Sequence, residues 1–121
     1  MTHEYTGIKR IFSAFKNSFD GFVYAFREEE AFRQDLMVAV VLFVVAWLLP
    51  VLVVERVLLC SSIFFVLFAE LTNSAIEACI DRISPDWHKL SKAAKDIGSL
   101  IVLLSFVNLI FVWIMICKKF F

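Results

Sequence analysis

The sequence is short of residues that break or staple a chain. Three glycines (Gly7, Gly21, Gly98) and two prolines (Pro50, Pro85) in 121 residues exclude collagen-like repeats, Gly/Pro-rich disorder and turn-dense all-β folds. The glycines are too scattered for a P-loop or the glycine-rich loop of protein kinases. Three cysteines, Cys60, Cys79 and Cys117, all fall in apolar runs. Their odd number and wide spacing speak against a disulfide framework or a zinc site and predict buried free thiols. Net charge is also missing, since twelve Lys and Arg balance twelve Asp and Glu. A nucleic-acid partner is therefore not expected. The opening MTHEYTG has neither the basic start nor the apolar core of a signal peptide. No internal repeat is visible.

What is present is apolar. Hydrophobic residues make up 61% of the chain, well above the roughly 45–50% of soluble domains, and a small soluble monomer could not hide them. The expectation is one membrane domain, 1–121. Leu36–Val54 runs nineteen residues without a charge, about 28 Å as helix and close to the hydrocarbon thickness of a bilayer. Val57–Ala69 adds thirteen uncharged residues before Glu70, and the helical pattern continues to Ile83. Ile97–Cys117 supplies twenty-one, broken only by Asn108. Spans are thus predicted at 36–54, 57–83 and 97–117, the first two forming a hairpin with Pro50 in the turn region.

Residues 7–34 are amphipathic instead. Ile8, Ile11, Phe12, Phe15, Phe19, Phe22 and Phe26 recur at helical spacing with polar residues between them, which predicts a helix lying in the membrane surface. The fold class is an all-α membrane protein, an N-terminal surface helix plus three transmembrane helices. Basic residues cluster before span one (Lys9, Arg10, Lys16, Arg27, Arg33) and between spans two and three (Arg82, Lys89, Lys92, Lys95). Both regions, the N-terminus and loop 82–96, are expected to face the cytoplasm. Trp47 and Trp113 sit near the far ends of their spans, as interfacial belt residues do. Ser84-Pro85-Asp86 resembles an N-cap with proline at the first helical position.

The informative feature is the series Glu70, Asn73, Glu77 and Asp81. At about 100° per residue these share an arc of roughly 60° on one helix face. Ionisable residues in a span are costly and normally mark function. Adhesive packing between helices is the plainer reading, and a carboxylate site at the lipid–water boundary is the functional one. Glu28-Glu29-Glu30 and Lys95-Asp96 should lie at the same level. Carboxylates from separate segments suit Mg²⁺, which also takes up substrate phosphates. A partly desolvated glutamate suits a general base, and a lysine can neutralise phosphate oxygens.

ELTNSAIEACIDRI (Glu70–Ile83), EEAFRQD (Glu29–Asp35) and AKDIGS (Ala94–Ser99), with their spacing and the three hydrophobic runs, resemble the motifs of the prokaryotic diacylglycerol kinase family. The resemblance implies a multi-pass bacterial inner-membrane enzyme, a homotrimer with shared active sites, that transfers phosphate from ATP to diacylglycerol and yields phosphatidic acid. It implies Glu70 as proton acceptor and Glu29 and Glu77 as holders of Mg²⁺. The implied nucleotide contacts are Arg10, Asn17, Glu29, Asn73, Glu77, Asp86, Trp87, His88, Lys95 and Asp96. Asn17 stands where relatives often carry Tyr, and Asp35 replaces the more usual Glu. Implied lipid contacts are Arg10, Ala31, Phe32, Arg33, Gln34, Asp35, Trp47, Arg56, Glu70, Ser99 and Trp113. Undecaprenol phosphorylation, a cation pathway and a non-catalytic scaffold are the alternative functions.

Overall fold

The computed structural model describes residues 6–121. The first five, on which the signal-peptide reading and the side assigned to the N-terminus partly rest, lie outside the described residues. Four α-helices follow one another: α1 (Ile8–Glu28), α2 (Glu30–Leu48), α3 (Val53–Ile83) and α4 (Lys89–Cys117). A single 3₁₀ turn, Lys118–Phe120, ends the chain. Among the described residues there is no strand. The chain enters α1 through Gly7 at φ 61° and ψ −129°, a conformation open to glycine at little cost.

The segment expected as one surface helix over 7–34 is divided. Glu29 is extended (φ −112°, ψ 101°), so EAFRQD belongs to α2. A helix end leaves carbonyls without partners, and Arg33 supplies them. Its Nη1 donates to Phe26 O at 2.8 Å and to Arg27 O at 2.9 Å. Phe22 of α1 meets Phe32 of α2 edge to face, ring centroids 6.0 Å apart, which fixes the corner from its apolar side. The rest of the α1 stripe, including Phe12, Phe15 and Phe19, is exposed.

The second corner also differs from expectation. Helix α2 ends at Leu48, six residues before the predicted end of span one. Pro50 cannot continue a helix and forces its predecessor out of the helical region; Leu49 accordingly sits at φ −70° and ψ 139°. Glu55 and Arg56 therefore lie in the first turn of α3 rather than in the connection. Arg56 reaches back to Ala46 O (3.1 Å) and Leu49 O (2.8 Å), covering the end of α2 as Arg33 covers the end of α1.

Between α3 and α4 the Ser84-Pro85-Asp86 segment is a turn, not a helix start. Ser84 terminates α3, and its Oγ accepts from Asp86 N. The N-cap of α4 is His88, whose Nδ1 accepts from Leu90 N at 3.0 Å. Ring nitrogen geometry wins here because proline lies too far upstream to begin the helix that Lys89 opens.

Helices α3 and α4 share the largest contact, and α2 packs on α3. Leu59, Ile63, Val66 and Ala69 form the buried stripe of α3, at the three- and four-residue steps of a packed helix face. Ala46, Leu59 and Ile116 meet where three helices converge at the hairpin end. Trp113 is half-buried in this bundle, donating from Nε1 to Ser62 Oγ at 3.2 Å, while Ser62 donates to Leu59 O. That hydrogen bond turns the indole toward α3. The thiols are less enclosed than expected: Cys60 and Cys117 are half-buried and Cys79 is exposed, all unpaired. Helices α2 and α4 are long and apolar enough to cross a membrane, and their outer faces stay apolar, with Val41, Leu48, Leu103 and Ile110 exposed.

The C-terminal turn is tied to the hairpin. Glu55 Oε1 accepts from Leu52 N at 2.9 Å and from Lys119 Nζ at 2.7 Å. The Lys119 hydrogen bond, aided by the Leu52 amide, holds the Glu55 carboxyl below the usual carboxylate range. A lowered folded-state value means the contribution is present above the unfolded value, about 4.3, and is lost as pH falls through the folded one. Wild-type protein in detergent micelles should therefore melt above Glu55→Gln at pH 7, and the gap should close on acidification to about pH 3; thermal unfolding at both pH values checks this.

Candidate active site

The polar face of α3 is where the helices converge chemically. Asn73 Nδ2 donates to Glu77 Oε1 at 3.2 Å, one turn along the same helix. Glu70, Asn73 and Glu77 are half-buried. From α2, half-buried Asp35 faces α3, lining a small cavity with Ile63 and Val66 of that helix. The α1–α2 corner thus presents Glu29, the second turn of α2 presents Asp35, and α3 presents the rest. Of the run Glu28-Glu29-Glu30, only Glu29 is withdrawn from the surface, because it occupies the extended corner.

Two buried oxygens in this cluster lack any hydrogen-bond partner, Asp35 Oδ2 and Asn73 Oδ1. Ionised carboxylates only accept, so a gathering of them is completed by donors or cations. Among the described residues no group of three ligands forms a ready-made metal cage. Mg²⁺ does not need one: it commonly takes one or two carboxylates and fills its remaining positions with waters and phosphate oxygens. The carboxylate set fits such an ion.

One helical turn beyond Glu77, Asp81 Oδ1 accepts from Lys95 Nζ of α4 at 2.9 Å. That hydrogen bond, with the Asp81 charge, raises the Lys95 ammonium above the usual lysine range. Asp96 is engaged separately, accepting from Lys92 at 2.7 Å. Asp81, Asp86, Trp87, His88, Lys95 and Asp96 line one open cavity of about 440 Å³ at the α3–α4 turn. His88 presents its ring there while spending Nδ1 on the cap of α4.

Other residues singled out by sequence lie elsewhere. Arg10 and Asn17 are exposed on α1. Within Ala31–Asp35, Ala31 and Gln34 are exposed, Phe32 is buried against Phe22, Arg33 closes the corner, and only Asp35 joins the carboxylates. Ser99 is exposed on α4. Arg56 is 5.3 Å from the Trp47 ring centroid at the hairpin end, about 21 Å along α3 from Glu70 at 1.5 Å per residue. Two residues were left without a role by the sequence reading. Asp81 lay on the polar arc but carried no assignment. Gly98, inside the AKDIGS motif, is buried against Asn73; a glycine isolated in an apolar run is the signal for such a close approach.

Comparison with known proteins identifies the family. Residues 16–117 match the prokaryotic diacylglycerol kinase family. A diacylglycerol kinase of Pseudomonas aeruginosa is 52% identical over 94 residues, covering 78% of this chain and 76% of that protein. Its counterpart in Escherichia coli K12 is 41% identical over 113 residues, 93% of both chains, and that of Haemophilus influenzae 36% over 108 residues, 89% and 92%. Four helices with a carboxylate-bearing polar face, matched over most of their length by these relatives, belong to the prokaryotic diacylglycerol kinase family.

Proposed function

We propose that this chain transfers the γ-phosphate of ATP to the free hydroxyl of diacylglycerol at the cytoplasmic boundary of a bacterial inner membrane, with α2, α3 and α4 as its three spans. The observation that carries the reading is the half-buried polar face of α3, Glu70, Asn73 and Glu77 with the Asn73–Glu77 hydrogen bond, on a helix flanked by apolar ones. A lipid alcohol reaches such a place sideways from the bilayer, and a nucleotide reaches it from water. Neither α1 nor the bundle encloses both substrates alone, which favours a homotrimer with sites completed between subunits.

In this reading Glu70 accepts the hydroxyl proton as the alcohol oxygen forms its bond to the γ-phosphorus and the bond to ADP breaks. Glu29 and Glu77 would hold Mg²⁺, which when bound offsets negative charge on the phosphates. Asn73 keeps Glu77 in place through its 3.2 Å hydrogen bond. Lys95, with Asp96 and the Asp86-Trp87-His88 turn around the same cavity, would receive the phosphates and base. Exchange of the Asp81 carboxylate for a phosphate leaves Lys95 paired throughout. Asp35 would border the alcohol, whereas Trp47 of α2 and Arg56 of α3, together at the hairpin end, lie too far from Glu70 to meet more than the lipid tail.

The deciding assay incubates pure protein with Mg·ATP and either diacylglycerol or undecaprenol in mixed micelles. Phosphatidic acid is the expected product; undecaprenyl phosphate alone would reassign the substrate, and no phosphorylated lipid would favour the scaffold reading. Glu70→Gln should lower turnover by about 100-fold or more, the usual contribution of a general base, with nucleotide binding retained by equilibrium dialysis. Glu77→Ala should instead raise the Mg²⁺ concentration for half-maximal rate by about 10-fold or more, on the scale of lost metal-site partners.

A further inference from the structure

Gly98 and Asn73 face each other across the α3–α4 contact. Gly98 is buried, and a Cβ built on it would collide with Asn73 Oδ1, meeting the Asn73 carboxamide carbon next and Ile76 Cδ1 only at ordinary contact distance, 3.7 Å. The same Oδ1 is buried without a hydrogen-bond partner, while the other end of that amide, Nδ2, donates to Glu77. The Asn73 oxygen occupies the space that glycine leaves by lacking a side chain. The carboxamide is therefore held at both ends, by α4 on its oxygen and by Glu77 on its nitrogen.

We infer that Gly98 is a positioning residue for the active site: its missing side chain is the slot that orients the Asn73 amide and, through it, the Glu77 carboxylate. The inference rests on the reading of Glu77 as a holder of the metal–nucleotide complex. To clear a methyl group the Asn73 carboxamide must swing aside, and the nitrogen it holds on Glu77 moves with the oxygen. Gly21, the other glycine within a helix, has nothing within 4 Å of a built Cβ, so the constraint is particular to position 98.

A double-substitution cycle tests this, read by Mg·ATP binding in equilibrium dialysis, by KM and kcat separately, and by thermal unfolding. Gly98→Ala should weaken Mg·ATP binding and raise its KM by about tenfold with kcat changed less than about threefold. In an Asn73→Ala background, where the oxygen is gone, adding Gly98→Ala should change neither quantity further. Equal effects of Gly98→Ala in both backgrounds would overturn the inference, as would unaltered binding in Gly98→Ala alone. Should Gly98→Ala fail to fold, the Gly98→Ala/Asn73→Ala protein should recover folding; if it does not, something other than Asn73 opposes the methyl group and the inference is wrong. Glu77→Ala separates the two levels of the argument. Lost binding in Glu77→Ala with normal binding in Gly98→Ala rejects only the role of Gly98, whereas normal binding in Glu77→Ala rejects the reading beneath it.

Discussion

A helix that carries Glu70, Asn73 and Glu77 among apolar neighbours is stable only if other parts of the chain cover that face, because polar groups in apolar surroundings are costly unless partnered. Much of the bundle follows from this. The corner at Glu29 holds one half-buried carboxylate, and the second turn of α2 turns another, Asp35, toward α3. Helix α4 approaches so closely that a side chain in place of Gly98 would displace the Asn73 amide. Below Glu70 the same helix is plain, with Leu59, Ile63 and Val66 packed as core. The polar and apolar halves of α3 are one helix performing two tasks.

The same constraint governs the corners. Carbonyls at a helix end need donors wherever water is scarce. Arg33 and Arg56 solve this alike, each folding its guanidinium back from the next helix onto two carbonyls of the preceding one. A planar fork with several fixed donors serves two acceptors at once, which a lysine ammonium does less rigidly.

The helices were legible because their apolar runs and three- and four-residue steps are long. Their ends were not. Nothing in the composition of 28–34 separates a surface helix from the start of a span; the break at Glu29 becomes visible only once Arg33 is seen closing the end of α1. Pro50 marked the hairpin, but the uncharged run hid the fact that Val53 and Val54 already belong to α3. Ser84-Pro85 offered a good helix start and lost to His88, whose ring reaches the Leu90 amide. At the site, one-face spacing found Glu70, Asn73, Glu77 and Asp81, since periodicity along one helix is local information. Asp35 against α3, Lys95 with Asp81, and Gly98 with Asn73 are contacts between helices, and a single sequence carries no register between them.

That register also settles which carboxylate Lys95 meets. Lys95 could in principle collapse onto the carboxylates it is meant to serve, which would neutralise Glu77 and fill the space a nucleotide needs. Asp81, one turn beyond Glu77, holds Lys95 instead at 2.9 Å. Lys95 and Asp81 are both substantially exposed, with 44% and 68% of their side-chain surface open, and exposed ion pairs contribute little. Such a pair is strong enough to bias where the ammonium rests and weak enough to yield to a phosphate carrying more charge. On the proposed reading, Asp81 therefore acts as a parking site for Lys95, and the acidic cluster around Glu70 stays open for a cation until the nucleotide arrives with one.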